Sequence, residues 1–100
     1  MVGQLTVIAE FETTSDTYDK FLEICTYDSE RSVADEAGCH AFNVLTPQDE
    51  ANTIVLVEIY EDRAAFETHL KTPHFGKFAE SLRNHGTNDM IVLLLTQRAP

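Results

Sequence analysis

Tryptophan is absent from this chain of 100 residues, cysteine and methionine occur twice each, proline three times, and only 7 Lys or Arg face 17 Asp or Glu. The shortage of positive charge leaves a net charge of −10, which argues against nucleic acid or an anionic membrane surface as partner. No apolar stretch approaches the roughly 20 residues of a spanning helix. The start, Met1-Val2-Gly3-Gln4, has neither the basic region nor the apolar run of a secretory signal. A cytoplasmic protein is therefore expected. Cys25 and Cys39 lie in no metal-ligand or redox spacing and read as two buried free thiols. Linkers, repeats and low-complexity tracts are missing as well, so residues 1–100 read as one domain. Such a chain can build a single core, but a roomy cavity calls for a second copy.

What is present is a clean alternation of periods. Leu5, Val7, Ala9 and Phe11 alternate with Thr6, Ile8, Glu10 and Glu12, a strand that Thr13-Thr14-Ser15-Asp16 breaks. From Thr17, the apolar positions Tyr18, Phe21, Leu22 and Cys25 recur at helical spacing, in a pattern running toward a stop at Gly38. Continued on the same face, that stripe meets Ser29 and Ser32, which either relieve crowding or line a cavity. Cys39 to Leu45 and Asn52 to Tyr60 read as strands joined through Thr46-Pro47-Gln48-Asp49-Glu50 into a hairpin. Asp62 caps a helix through Leu70. Thr72-Pro73 then starts another, with Phe75, Phe78, Ala79 and Leu82 on one face, ended by Asn84-His85-Gly86. Met90 to Thr96 is the last strand, giving the order βαββααβ.

Ile54-Val55-Leu56-Val57 and Met90-Ile91-Val92-Leu93-Leu94-Leu95 are apolar on both sides of the pleat. An antiparallel sheet with helices on one side should be polar on the other. Another copy packed sheet to sheet, an isologous homodimer, is the economical cover.

The densest chemistry lies in Glu58-Ile59-Tyr60-Glu61-Asp62, Phe66, His69 and Thr72-Pro73-His74-Phe75, where titratable groups and aromatics meet at a strand-to-helix junction. Together with Ala37-Gly38-Cys39-His40-Ala41-Phe42-Asn43-Val44-Leu45, this stretch resembles the antibiotic biosynthesis monooxygenase domain, in its quinol monooxygenase-like branch, along nearly the whole chain. The resemblance implies an α+β, ferredoxin-like subunit that dimerises into an α+β barrel, with a cavity between sheet and helices. It also implies oxidation of quinols or aromatic polyketides by molecular oxygen without any cofactor. Haem-degrading relatives carry an Asn and a Trp where Phe11 and His69 stand here, so haem is not expected. Sugar-phosphate enzymes of the family carry a His near Asp28 and Ser29, a poor phosphate cradle. The pocket Asn of the polyketide-oxidising members falls near Leu56, and the usual Pro before the glycine is Ala37.

Cofactor-free oxidation needs one base that removes a phenolic proton inside an aromatic pocket. His69 and His74 are the candidates, since an ordinary imidazole titrates near 6.5. Either ring also reads as structural, His69 bonded to a backbone carbonyl and His74 wet at a helix start. A lone carboxylate between Val57 and Ile59 is costly to bury, so Glu58 pairs with a histidine or a hydroxyl or sits in solvent at the sheet end, and pairing with His69 or His74 is the functional expectation. Tyr60 and Asn43 are candidate hydrogen-bonding groups for substrate, and Phe42, Leu56, Phe66, Phe75, Ser29 and Ser32 candidate lining. His40 and His85 read as structural or exposed, and Arg31 as the partner of Asp35 one helical turn on. No metal is expected, because the five-residue spacing of His69 and His74 across Pro73 does not hold one helical face.

The same groups suit two other readings. One is isomerisation or hydrolysis of a small carbonyl compound, phosphorylated if Arg31, Arg63, Lys71 or Lys77 serves as anchor. The other is non-catalytic binding of an apolar metabolite by the dimer.

Overall fold

Seven elements follow the order that the periodicities predict: β1 (Leu5–Glu12), α1 (Tyr18–Asp35), β2 (Cys39–Leu45), β3 (Thr53–Tyr60), α2 (Arg63–His69), α3 (Pro73–His85) and β4 (Met90–Thr96). They belong to a computed structural model that describes residues 3–85 and 90–100. Met1, Val2 and the expected helix stop at Gly86 lie outside the described residues. The strands form one antiparallel sheet in the order β2-β3-β1-β4. This is the α+β, ferredoxin-like arrangement.

Strand alternation decides which residues reach the helices. Leu5, Val7, Ala9 and Phe11 of β1 and Ile54, Leu56, Glu58 and Tyr60 of β3 are buried, with Phe21 and Cys25 of α1 and Phe78 of α3 packed over them. Phe11, Phe21 and Phe78 close the middle of this core with centroids 5.4 to 5.7 Å apart. Each fully buried ring contributes about 1.5–3 kcal/mol. Cys25 and Cys39 are buried free thiols, and burial pushes both up to about 12. No described helix is long and apolar enough to cross a membrane.

Between α1 and β2 the backbone passes so close to α2 that a Cβ on Gly38 would meet the Ala65 Cβ at 2.6 Å. That methyl is fixed to the helix backbone and has no rotamer with which to withdraw. Gly38→Ala is thus expected to shift α2 and destabilise the protein by about 1–3 kcal/mol in a denaturant titration. Parallel unfolding curves with equal midpoints would show that α2 yields freely.

No described helix covers the other sheet face. Ile8, Val55, Val57 and Ile59 are half-buried there and Leu45, Ile91, Leu93 and Leu95 are exposed, while Met90, Val92 and Leu94 are exposed on the opposite side of β4. The register places Leu93 beside Ile8, Ile8 beside Val57 and Val57 beside Asn43, one row across the whole sheet.

Candidate functional site

The joint between α2 and α3 brings the two histidines together. Asp62 caps α2 by accepting from the Ala65 N–H at 2.9 Å. Thr72 begins α3: its hydroxyl donates to the His69 carbonyl at 2.7 Å and accepts from the Phe75 N–H at 3.2 Å. Because one helix ends and a new one starts between them, the five-residue spacing is no obstacle to a shared site. The ring centroids stand 5.7 Å apart.

Both rings meet one carboxylate, which belongs to Glu36 and not to Glu58. Glu36 Oε2 lies 2.9 Å from His69 Nδ1 and 2.5 Å from His74 Nε2. Its other oxygen, Oε1, is buried with no hydrogen-bond partner among the described residues. Glu36 follows the last turn of α1, whose buried face carries Phe21, Cys25, Asp28 and Ser32. Ser32 donates to Asp28 Oδ1 at 3.3 Å and stands 3.4 Å from His69 Nδ1. Asp28 Oδ2 is 4.0 Å from His69 Nε2, outside hydrogen-bond range. Burial raises the Asp28 carboxyl above its ordinary range, while His69 and His74 pull it down. His69 is held edgewise between Tyr60 and Phe75, with centroids at 5.4 and 5.3 Å, and Phe42 at 5.9 Å.

Glu58 instead accepts from the Tyr60 hydroxyl, two residues along the same strand face, at 2.5 Å. Its expected pairing with a histidine is therefore corrected: the neighbouring phenol reaches it first. Burial pushes this carboxyl up to about 7, the Tyr60 hydrogen bond opposes the rise, and Asp28 and Glu36 add to it. The folded state then holds a proton on Glu58 between pH about 4.5 and 7 that the unfolded chain has released. Stability from this group is complete at low pH and is lost as pH rises through that window. In Glu58→Gln the loss cannot occur, so the variant should gain on the parent by on the order of 3 kcal/mol between pH 5 and pH 8. Urea titrations at matched protein concentration measure this. A pH-independent difference would mean that Glu58 is ionised throughout.

A cavity of about 260 Å³ opens beside this cluster. Asp28, Glu58 and His69 are its titratable wall, and Leu56, Phe66 and Phe75 are among its apolar lining. Met90 and Val92 of the exposed strand β4 complete one side. The expected lining residues Leu56, Phe66 and Phe75 are thus in place. Others are not. Asn43 is exposed on the far face of the sheet, because its neighbour Phe42 takes the inward position. Phe42 packs on His69 without reaching the cavity, and the Tyr60 hydroxyl is committed to Glu58. Ser29 donates to the Phe42 carbonyl, fastening α1 to β2, and Ser32 belongs to the Asp28–His69 cluster. His74 does not line the cavity either. It and Glu36 border a separate outer groove, which also holds the expected surface pair Arg31–Asp35 at 3.4 Å.

Asp28, His69 and His74 offer donor atoms within 4.8 Å of one another, a group that could hold a metal ion. His69 Nδ1 and His74 Nε2 are at the same time engaged by Glu36 at hydrogen-bond distances.

Comparisons with known proteins agree with this geometry. Residues 4–81 match the family model described as Antibiotic biosynthesis monooxygenase. A solved antibiotic biosynthesis monooxygenase superposes with a TM-score of 0.83 at 27% identity, over 96% of this chain and 99% of that one. The fold is also that of Rv0793 from Mycobacterium tuberculosis, with a TM-score of 0.88 at 21% identity over 98% of both chains. PA3566 from Pseudomonas aeruginosa gives 0.87 at 22% identity, over 99% of this chain and 98% of that one. An uncharacterised Synechocystis protein, sll1783, is 33% identical over 45 residues, which is 45% of this chain but only 31% of that protein's length. Through the match over residues 4–81, the chain belongs to the antibiotic biosynthesis monooxygenase family.

Proposed function

We propose that this protein is a cofactor-independent monooxygenase that oxidises a small quinol or related aromatic with molecular oxygen, working as a homodimer. The observation that carries the proposal is the hold of Glu36 on His69 Nδ1 at 2.9 Å. A ring that donates its Nδ1–H to a buried carboxylate has its lone pair on Nε2. That nitrogen lies on the side of Asp28, which lines the cavity with His69. A base thus faces an apolar hollow of a size that admits one aromatic ring system.

The chemistry balances without a cofactor. His69 Nε2 takes the phenolic proton, and the electron-rich anion passes one electron to oxygen. The resulting radical and superoxide join at a ring carbon, and the returning proton makes a hydroperoxide. Loss of that carbon's hydrogen with cleavage of the O–O bond then yields a carbonyl and water. Apolar walls exclude bulk water from the radical pair. Glu58, held partly protonated near neutrality, is placed to donate to the peroxide oxygen. A phosphorylated substrate fits less well, because none of Arg31, Arg63, Lys71 and Lys77 lines the cavity.

Oxygen uptake over a panel of quinols and hydroxylated polycyclic aromatics tests the reading. One oxygen consumed per product formed, and no turnover under argon, is expected. Turnover indifferent to oxygen, or none on any member, removes it.

A further inference from the structure

The two histidines share a carboxylate oxygen but open onto different spaces. His69 borders the cavity and not the outer groove, and His74 borders the groove and not the cavity. Glu36 stands between them, its side chain only 7% exposed. A buried carboxylate that stays ionised requires a compensating positive charge, and no Lys or Arg bonds to Glu36 among the described residues. One imidazolium on the two rings neutralises Glu36, whereas two would leave excess positive charge on one oxygen.

We propose that His69, Glu36 and His74 form a charge-coupled proton exchanger that links the cavity base to solvent in the outer groove. The inference rests on the reading of His69 as that base. In the resting state His69 donates its Nδ1–H to Glu36, while His74 carries the single positive charge and donates its Nε2–H to the same oxygen. When His69 Nε2 accepts the proton of the substrate hydroxyl, the shared carboxylate cannot neutralise both rings. His74 then releases its Nδ1 proton to water in the groove. One proton enters and one leaves, the net charge of the three groups is unchanged, and both hydrogen bonds to Glu36 persist. When the peroxide is protonated the same exchange runs backward. His74 is accordingly a proton-exchange residue that touches no substrate.

Other charges facing the three groups tune the exchange. Asp28 and Glu58 stand at the cavity, and Arg31, Asp35, Glu61 and Asp62 line the groove. The Cys39 thiol, pushed up to about 12 by burial and by Glu36, takes no part.

Ring-nitrogen NMR titration of the free protein tests the coupling without any substrate. In His74→Gln and in His74→Asn the His69 midpoint should rise by about one pH unit or more, because His69 then charges beside Glu36 without a second imidazolium. Two variants guard against one failing to fold. A His69 midpoint within about 0.3 unit of the parent's in both would refute the coupling. With an oxidised substrate in hand, His74→Gln should lower kcat at least about tenfold at unchanged KM, and millimolar imidazole in the groove should restore it. Failure to find any oxidised substrate would count against the monooxygenase reading alone, since the titration decides the exchanger by itself.

Discussion

His69→Gln is expected to lower kcat/KM by about 10²–10⁴-fold, with the loss in kcat and little change in KM. Glutamine nearly fills the imidazole's place and can donate an amide hydrogen to Glu36, but it cannot take a proton at neutral pH. Substrate affinity should survive, because the hydrophobic hold on an aromatic ring comes from Leu56, Phe66, Phe75 and their neighbours. Equilibrium binding of a non-oxidisable phenol ether separates the two effects: unchanged affinity with lost turnover assigns His69 to the chemistry. Some stability will also go, on the order of 1–3 kcal/mol, since Glu36 keeps only His74 as a strong partner. Activity within a few-fold of the parent would show that the proton leaves by another route, with Asp28 and Glu58 the remaining titratable groups on the cavity wall.

Half of this site was legible in the sequence, and the missing half had a signal of its own. Aromatic and histidine density after β3 points to His69, Phe66 and Phe75, which do border the cavity, because a helix start beside a strand end gathers side chains whatever the detailed packing. Glu36 and Asp28 escaped notice because acids on a helix are ordinarily solvated. Their positions say otherwise: Phe21, Cys25, Asp28, Ser32 and Glu36 follow one another at steps of four, three, four and four, a single continuous stripe that faces the sheet. Asp28 on the buried stripe and Glu36 just past its end need hydrogen-bond donors: Ser32 serves Asp28, and the histidine pair on the opposing segment serves Glu36. The sequence offers Asn43 as a hydrogen-bonding group and Phe42 as lining of one pocket, although adjacent strand residues face opposite ways. The register shift between Cys39 and Ala41 turns Phe42 inward and so settles which of the two is lost. The five-residue spacing of the two histidines meets a similar point of geometry. Helical spacing rules apply within one helix, and Thr72 starts a second between the two histidines.

Leu93→Asp is expected to turn a dimer into a monomer at micromolar concentration and to take most of the activity with it. Leu93 lies in the middle of β4, in the row with Ile8 and Val57, on the face that no helix covers. Two such faces packed together hide on the order of several hundred Å² of apolar surface per subunit, a gross gain near 25 cal/mol per Å² from which the entropy of association is subtracted. A two-fold axis places both copies of the new carboxylate in one interface, each with a desolvation penalty of several kcal/mol, and that exceeds the net gain that holds a dimer at micromolar concentration. Sedimentation velocity reads the dissociation directly. The catalytic consequence follows from the strand's other side. Met90 and Val92 share β4 with Leu93, alternate with it across the pleat and form one wall of the cavity. A strand freed of its partner leaves that wall open to water, which quenches superoxide and rehydrates the phenolate. Specific activity of the unmodified protein should then fall on dilution with a midpoint at its own dimer dissociation constant. An unmodified protein that sediments as a monomer while fully active would separate the cavity from the sheet face and leave this apolar surface without its proposed role.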